Sequence, residues 1–358
     1  MSTPFSLRAE LKGVEVAPGV TLRYWEAGAG RALVMLPGLG HAASLYKYQL
    51  EGLCDEFRVI ALDPRGHGES DKPEGGYNYH TLAKDLDGFL RALDLNDVTI
   101  LGHSGGCKII LTYLELYGDS RLRAIVFSDD SPCHLRDGIF SADQALAAID
   151  AFQGPDAIAF SKGFSDQFLT DDAEESAKEA FYREGLKLPR PYLAKLFRWA
   201  AFGDWWDAYA LVKVPTLVIG GRVSKVPVKI AQGIHEAVPG SSFVVFEADE
   251  GGGHAMFWEG PQKYNDSLRT FLRSSSVMKL FGAWFSGAVI ADEQTQTGGQ
   301  ILHRDKASAG VATQRFEGNV AAPHDQTDHS ETLADRRDER PERVAHCGEA
   351  LRSRARLR

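Results

Sequence analysis

Short apolar runs alternate with amphipathic stretches through about residue 135 of the chain. The runs are almost continuously apolar, as is typical of strands buried on both faces of a parallel sheet, and they cover residues 32–36, 57–62, 98–101 and 122–127. Between two of them lies a leucine-rich stripe at helical spacing, formed by Leu82, Leu86, Phe89, Leu90 and Leu93. Strands and helices in alternation predict a doubly wound α/β sheet.

The pattern changes twice further along the chain. Strand signals stop near residue 135, and helical patterns rich in aromatic residues follow, beginning with the capping-box pair Ser141 and Gln144. Sheet-like runs return at 216–219 and 243–246, and a closing helix follows. We therefore predict a first part of an α/β core, a helical cap, a second part of the core and a largely disordered tail, over residues 1–134, 135–213, 214–274 and 275–358.

Composition narrows the class of protein. A chain of 358 residues, 44% of them hydrophobic, is long enough for one large core with a cap. The net charge of -9 argues against a nucleic-acid partner, which would need clustered basic residues. The four cysteines show no CxxC pattern, so neither a disulfide scaffold nor a metal site is expected. With no signal-peptide pattern and no expected membrane contact, we predict a cytoplasmic protein with a small-molecule partner, and leave its oligomeric state open.

The stretch Gly102–Gly106, GHSGG, follows a predicted strand and precedes a helical run. This is the G-x-S-x-G pattern in its strand–turn–helix setting, where a sharp turn leaves no room for side chains beside the serine. Ser104 is therefore the predicted nucleophile. The glycine-rich turn LPGLGH at residues 36–41 can aim a backbone amide at a developing oxyanion, and we predict Leu39 and Gly105 as the two donors.

His254, in the stretch EGGGH after the last predicted strand, is the predicted general base, because the base of this fold comes late in the chain. His41, His67, His80 and His103 are weaker candidates for the base. A helical cap can also line a pocket, so some of its aromatic rings could meet a substrate. The candidate pocket residues are His41, His103, Trp199, Trp205 and Trp206.

The acid of the site is open from sequence. Val223 stands after the strand at 216–219, where most members of this fold carry an acidic residue, and valine cannot orient an imidazole. Asp129 and Asp130 follow the strand at 122–127 and would reach the same rim of the sheet. We favour Asp129 over Asp130, while the pair can also be a simple turn before Pro132.

The motifs LPGLGH, DPRGHGES, GHSGG and GGGH resemble those of the α/β-hydrolase superfamily, over about residues 5–273. The resemblance implies a mostly parallel eight-stranded sheet, a helical cap and a Ser–His–acid triad that needs neither a cofactor nor a metal. It includes members with the acid on the earlier strand, among them haloalkane dehalogenases and zearalenone-type lactonases. Ser104 argues against dehalogenase and epoxide-hydrolase chemistry, because those enzymes use an aspartate nucleophile.

The region from PGLGH to DPRGHGES is also similar to the cofactor-free 2,4-dioxygenases of quinolone breakdown. The resemblance implies a His–Asp pair that deprotonates an aromatic substrate, which then reacts with oxygen. Two departures lower this interpretation: Leu39 replaces a tryptophan of those enzymes, and Gly105 replaces a histidine.

These residues lead to one favoured function and two alternatives. The favoured hypothesis is hydrolysis of an ester or lactone bond in a small apolar or aromatic molecule by Ser104, His254 and Asp129. The alternatives are cofactor-free oxygenation of a heteroaromatic, and a slow or non-catalytic receptor that binds a small molecule in the same pocket.

Overall fold

A computed structural model describes residues 9–274, and the predicted tail at 275–358 lies outside the described residues. Eight strands of the described chain form one sheet. They are β1 (Glu10–Ala17), β2 (Val20–Ala27), β3 (Ala32–Leu36), β4 (Arg58–Leu62), β5 (Val98–His103), β6 (Leu122–Ser128), β7 (Thr216–Gly221) and β8 (Ser242–Phe246).

The strand order is β1-β2-β4-β3-β5-β6-β7-β8. Strand β2 runs antiparallel to β1 and β4, and all other neighbours pair in parallel. The sequence prediction of a mostly parallel eight-stranded sheet is therefore confirmed. Since the carboxyl ends of the parallel strands meet at one rim, the loops after β3, β5, β6, β7 and β8 are brought together there.

Helices occupy most of the connections. They are α1 (Lys47–Leu53), α2 (Tyr79–Ala92), α3 (Gly105–Tyr117), α4 (Ala142–Ala151), α5 (Ala157–Asp166), α6 (Glu175–Gly185), α7 (Arg190–Phe202), α8 (Val228–Ala237), α9 (Met256–Glu259) and α10 (261–274). Three short 3-10 helices cover Ala43–Tyr46, Trp206–Leu211 and Ala248–Glu250. Within the described residues, no helix has the length and apolar character that crossing a membrane would require.

Apolar side chains cover both faces of the sheet. Successive residues of a strand point to opposite faces, so Val34 and Ile100 join one core cluster, whereas Leu33 and Leu101 join the other. This double burial explains why the strands are continuous apolar runs in the sequence. The first cluster also takes the leucine stripe of α2.

Helices α4 to α7 lie between β6 and β7, in the segment predicted to be a cap. The capping box at the start of α4 is formed: the Gln144 amide donates to the Ser141 hydroxyl, and the Ser141 amide donates to the Gln144 side chain. This helical insertion supplies much of the lining of the cavity that contains Ser104.

Candidate active site

Ser104 occupies the turn between β5 and α3 with a backbone that L-residues rarely adopt, at φ 49° and ψ -120°. The neighbouring glycines make this turn sterically feasible. A Cβ on Gly102 would lie 2.6 Å from the Cys107 nitrogen, and a Cβ on Gly106 would lie 2.5 Å from the Leu36 oxygen. The sharp turn predicted from the GHSGG motif is therefore formed, and it sets Ser104 at the positive end of α3.

The amides of Leu39 and Gly105 lie close together beside this turn. A Cβ on Gly105 would be 3.0 Å from the Leu39 nitrogen. Among the described residues neither amide donates a hydrogen bond to a protein acceptor, so both are available to an oxygen atom of a ligand. Two free amides in this position could stabilise negative charge that develops on a carbonyl oxygen.

His254 and Asp129 form a buried pair at the carboxyl rim of the sheet. The His254 Nδ1 lies 2.5 Å from Asp129 Oδ2, and the two residues are 5% and 1% exposed. The Asp129 carboxylate also accepts hydrogen bonds from the Gly221 amide at 3.1 Å and from the Ser224 hydroxyl. Because Asp129 accepts on both oxygens, it can hold the imidazole in one orientation with the proton on Nδ1.

Strand pairing explains how an aspartate after β6 reaches a histidine after β8. Ser128 pairs with Ile219 on β7, and the next amide, that of Asp129, donates to the Ile219 carbonyl at 2.9 Å. Asp129 adopts a φ of 50°, which turns the chain out of the sheet at that point. Val223, at the usual place of the acid, is half exposed and donates its amide to Gly252.

Asp130, the alternative acid, faces a different partner. Its Oδ1 lies 2.5 Å from Lys108 Nζ, and both side chains are almost fully buried. Burial raises the pKa of Asp130, although the neighbouring ammonium opposes that shift. The structure therefore brings Asp129, and not Asp130, to His254.

Ser104 and His254 line the same cavity, which has a volume of about 80 Å³. Within the described chain, the side-chain hydrogen bond of the His254 ring goes to Asp129 rather than to Ser104. The hydrogen bond between a serine nucleophile and its histidine base is often long before a substrate binds. Most of the other walls are apolar, and their aromatic part consists of Phe140, Phe164, Phe168 and Phe197.

His103 lies behind the cavity and not in its lining. It is fully buried, and its Nε2 donates to the backbone carbonyl of His254 at 2.8 Å. Burial, together with the neighbouring histidines, holds its pKa well below the ordinary value. A neutral His103 thus anchors the loop that carries His254.

His41 contacts a smaller neighbouring void of about 20 Å³ and stacks on His103 at 6.1 Å between ring centres. Burial lowers the pKa of His41 to about 3, so this ring is also neutral near pH 7. Neither His41 nor His103 is placed to act as the base.

The three tryptophans predicted as pocket candidates lie away from the cavity. Trp199 is 45% exposed, the Trp205 indole donates to Thr112 at 2.9 Å, and the Trp206 indole donates to Asp137 at 3.0 Å. Trp199 lies on α7, whereas Trp205 and Trp206 lie where the following 3-10 helix begins, and tertiary packing, which no local pattern encodes, turns their rings away from the cavity. Phenylalanines of the insertion line the cavity instead.

The described residues contain no cluster of three or more His, Cys, Asp or Glu side chains that could hold a metal ion. A larger open groove of about 710 Å³, lined in part by Lys47, Glu174 and Trp258, contains none of the predicted catalytic residues.

Comparison with known proteins agrees with this architecture. A family model described as "alpha/beta hydrolase fold" matches residues 31–154. Together with the sheet topology and the nucleophile turn, this match assigns the chain to the α/β-hydrolase superfamily.

The alignments with individual relatives cover nearly the whole length of each relative. A non-heme chloroperoxidase of Kitasatospora aureofaciens is 29% identical over 269 residues, which cover 71% of this chain and 96% of the relative. The structure of an esterase from Exiguobacterium antarcticum is 28% identical with a TM-score of 0.68, covering 73% of this chain and 99% of that one. A bromoperoxidase structure from Bacillus anthracis, at 24% identity and a TM-score of 0.69, covers 74% of this chain and 100% of that chain and shares the fold.

Proposed function

We propose that this protein is a serine hydrolase that cleaves an ester or lactone bond in a small apolar or aromatic molecule. The observation that carries the proposal is the buried hydrogen bond between His254 and Asp129, in a cavity that His254 shares with Ser104. The similarity to an esterase supports the same reaction class.

In the proposed mechanism, His254 Nε2 takes the proton of the Ser104 hydroxyl, and the serine oxygen attacks the substrate carbonyl. The Leu39 and Gly105 amides donate to the oxyanion, and Asp129 stabilises the imidazolium. The imidazolium then protonates the leaving alcohol. A water molecule then gives a proton to His254 and attacks the acyl-serine carbonyl. The bond from Ser104 Oγ to the acyl group breaks, the imidazolium returns its proton to Oγ, and the acid is released.

Known magnitudes indicate how much each of these parts would contribute to the rate. A positioned general base contributes about 10²- to 10⁴-fold, and one oxyanion donor contributes roughly 10²- to 10³-fold. The mostly apolar lining of the cavity favours a small apolar or aromatic substrate, because a polar group that faces the phenylalanine walls would lose water without gaining a hydrogen-bond partner.

The test is turnover of p-nitrophenyl acetate by Ser104→Ala. We expect the rate to fall to that of free solution, while the matched control Ser176→Ala, at an exposed serine, keeps the wild-type rate. Full activity of a folded Ser104→Ala would exclude the acyl-serine route.

The same variant separates the two alternatives. The His254–Asp129 pair could also deprotonate a heteroaromatic, because a buried imidazole–carboxylate pair is a general base whether or not serine takes part. In that case Ser104→Ala would retain oxygen uptake with a hydroxyquinolone, and His254→Ala would lose it. A receptor would instead show ligand-dependent thermal stabilisation, with turnover near zero in the wild type.

A further inference from the structure

A small void beside the catalytic cavity contains polar groups that have no use in the proposed mechanism. It has a volume of about 20 Å³ and is lined by residues of the LPGLGH turn and of helices α5, α6 and α7. Leu39, Phe164 and Phe168 line both this void and the catalytic cavity. We call it the Arg190 void, after the one charged residue among the described residues that line it.

Two buried side chains in the wall of the Arg190 void lack hydrogen-bond partners. Both ring nitrogens of His41 and the hydroxyl of Ser165 have none within the described residues, and the two residues are 3% and 7% exposed. Buried polar groups are normally paired, with water or a ligand where the protein offers no partner. The void exceeds the roughly 10–15 Å³ that one water-sized group needs. It is therefore a place where a polar group binds.

Arg190 gives this void a positive charge that no carboxylate of the described chain neutralises. Its Nη2 donates to the backbone carbonyls of Gly185 and Leu188, at the end of α6 and just beyond it. Burial lowers the pKa of Arg190, and no described Asp or Glu opposes that shift. The guanidinium nevertheless stays protonated near pH 7. Arg65, by contrast, pairs with Asp85 at 2.7 Å.

A ligand in the void can reach the guanidinium. Arg190 and Tyr182, which both line the void, are only partly buried. A guanidinium carries five N–H donors, and the two contacts of Nη2 leave those on Nε and Nη1 without an acceptor among the described residues. No acidic side chain occurs among the described residues that line the void. Charged and neutral donors without a carboxylate suit an anionic oxygen ligand.

His41 connects this void with the nucleophile turn. Its Nδ1 and the Ser104 Cβ lie 3.2 Å and 3.3 Å from one point, the position that a Cβ on Gly38 would take. Leu39, whose amide faces the proposed oxyanion, is also part of the wall of the void. The Arg190 void therefore adjoins the space in which the proposed substrate reacts.

From this placement we infer that the Arg190 void binds a carboxylate on the substrate, with Arg190 as its charged partner and Ser165 and His41 as further donors. This inference rests on the proposed hydrolase function and narrows its substrates to small apolar or aromatic esters that carry a negative charge. It makes Arg190 a specificity-determining residue outside the triad.

The experiment measures inhibition of p-nitrophenyl acetate hydrolysis by phenylacetate, 3-phenylpropanoate and 4-phenylbutanoate, each compared with its primary amide. The amide keeps the shape of the acid and removes the charge, and the three chain lengths place the carboxylate at different distances from the ring. Because hydrogen bonds between charged groups are among the stronger ones, we expect at least one acid to bind roughly 10- to 100-fold more tightly than its amide. Equal inhibition constants for every pair would show that the void holds water only, and would overturn the inference.

Arg190→Met should bind acid and amide equally, whereas Arg190→Lys, which keeps the charge, should retain part of the preference. The control Arg198→Met, at an exposed position of the same helix, should keep all of it. A folded Arg190→Met that keeps the full preference would show that the acid binds elsewhere, and would refute the role of Arg190. If Arg190→Met does not fold, Ser165→Ala replaces it and should weaken binding of the acid by roughly 3- to 10-fold, with no change counting against the inference.

Two further outcomes separate this inference from its alternatives. If the wild type does not hydrolyse p-nitrophenyl acetate, the proposed function fails and this inference fails with it, whereas hydrolysis with equal inhibition by acids and amides overturns this inference alone. Acetate is tested as a free anion. Inhibition by acetate as strong as that by the best phenylalkanoate would mean that the void binds free anions, and would refute its assignment to a substrate carboxylate.

Discussion

Replacement of Asp129 by asparagine tests the base–acid pair with almost no change in shape. In Asp129→Asn, the Gly221 amide, which donates to Oδ1 at 3.1 Å, keeps the carboxamide oxygen at that position. The NH₂ group then takes the place of Oδ2, 2.5 Å from His254 Nδ1. Since NH₂ only donates, Nδ1 must accept, and the proton of the imidazole moves to Nε2.

An imidazole protonated at Nε2 cannot take the proton of Ser104, and the imidazolium loses its counter-charge. We therefore expect kcat to fall by about 10⁴-fold, as found when the triad aspartate of a serine protease is replaced by asparagine. The assay is p-nitrophenyl acetate hydrolysis, with circular dichroism to show that the variant is folded. Asp143→Asn, at an exposed position in α4, is the control for loss of one carboxylate. A folded Asp129→Asn that retains a tenth of the wild-type kcat would refute the role of Asp129.

Three further predictions concern the hydrogen bond that supports the Asp129 carboxylate and the stability of the folded protein. Ser224→Ala removes a hydrogen bond to the Asp129 carboxylate, so kcat should fall by roughly 3- to 10-fold, and Ser224→Thr should recover most of it; equal rates for all three proteins would contradict this support. Gly106→Ala should lower the free energy of unfolding in urea by about 2–4 kcal/mol, because its Cβ would clash with the backbone as described above. The control Gly163→Ala, in α5 with nothing within 4 Å of its Cβ, should raise that free energy by about 0.5–1 kcal/mol. An unchanged free energy of unfolding in Gly106→Ala would show that the turn has room for a side chain. The pKa of His41 is about 3 in the folded protein against an ordinary 6.5, so its contribution to the free energy of unfolding is complete above pH 6.5 and falls by about 1.4 kcal/mol per pH unit as the pH drops toward 3. Between pH 7 and pH 5, His41→Phe should therefore lose about 2 kcal/mol less of this free energy than the wild type, and the exposed-site control His80→Phe should match the wild type. A loss in His41→Phe identical to that of the wild type would refute the burial argument.

The fold was predictable because its signals are local. Each parallel strand is buried on both faces, which makes it a continuous apolar run, and each long helix shows its buried stripe at a fixed spacing. The nucleophile turn was equally predictable, because glycine is required at 102, 105 and 106. A Cβ atom at any of these positions would lie within 3.0 Å of a backbone atom. The choice of Asp129 followed from the rule that parallel strands end at a common rim.

Other parts of the site depend on contacts that no local pattern encodes. Ser224 is a serine in an ordinary loop, and its bond to Asp129 joins residues 95 positions apart. The direction of an aromatic ring in the helical insertion is set by packing, which is why the tryptophans at 199, 205 and 206, predicted as pocket candidates, are not among the residues that line the cavity. Lys108, the partner of Asp130, did leave a signal that the sequence analysis missed: it is a single charge in the otherwise apolar first half of α3.

The most direct test of the proposed function is covalent capture of the nucleophile. The wild-type protein is incubated with a fluorophosphonate probe, digested, and the modified peptide is sequenced by mass spectrometry. We predict one adduct, on the Ser104 oxygen, that forms far more slowly in Asp129→Asn and does not form in Ser104→Ala. Absence of an adduct from the folded wild type, or its attachment to a different serine, would contradict the assignment of this cavity as a serine-hydrolase active site.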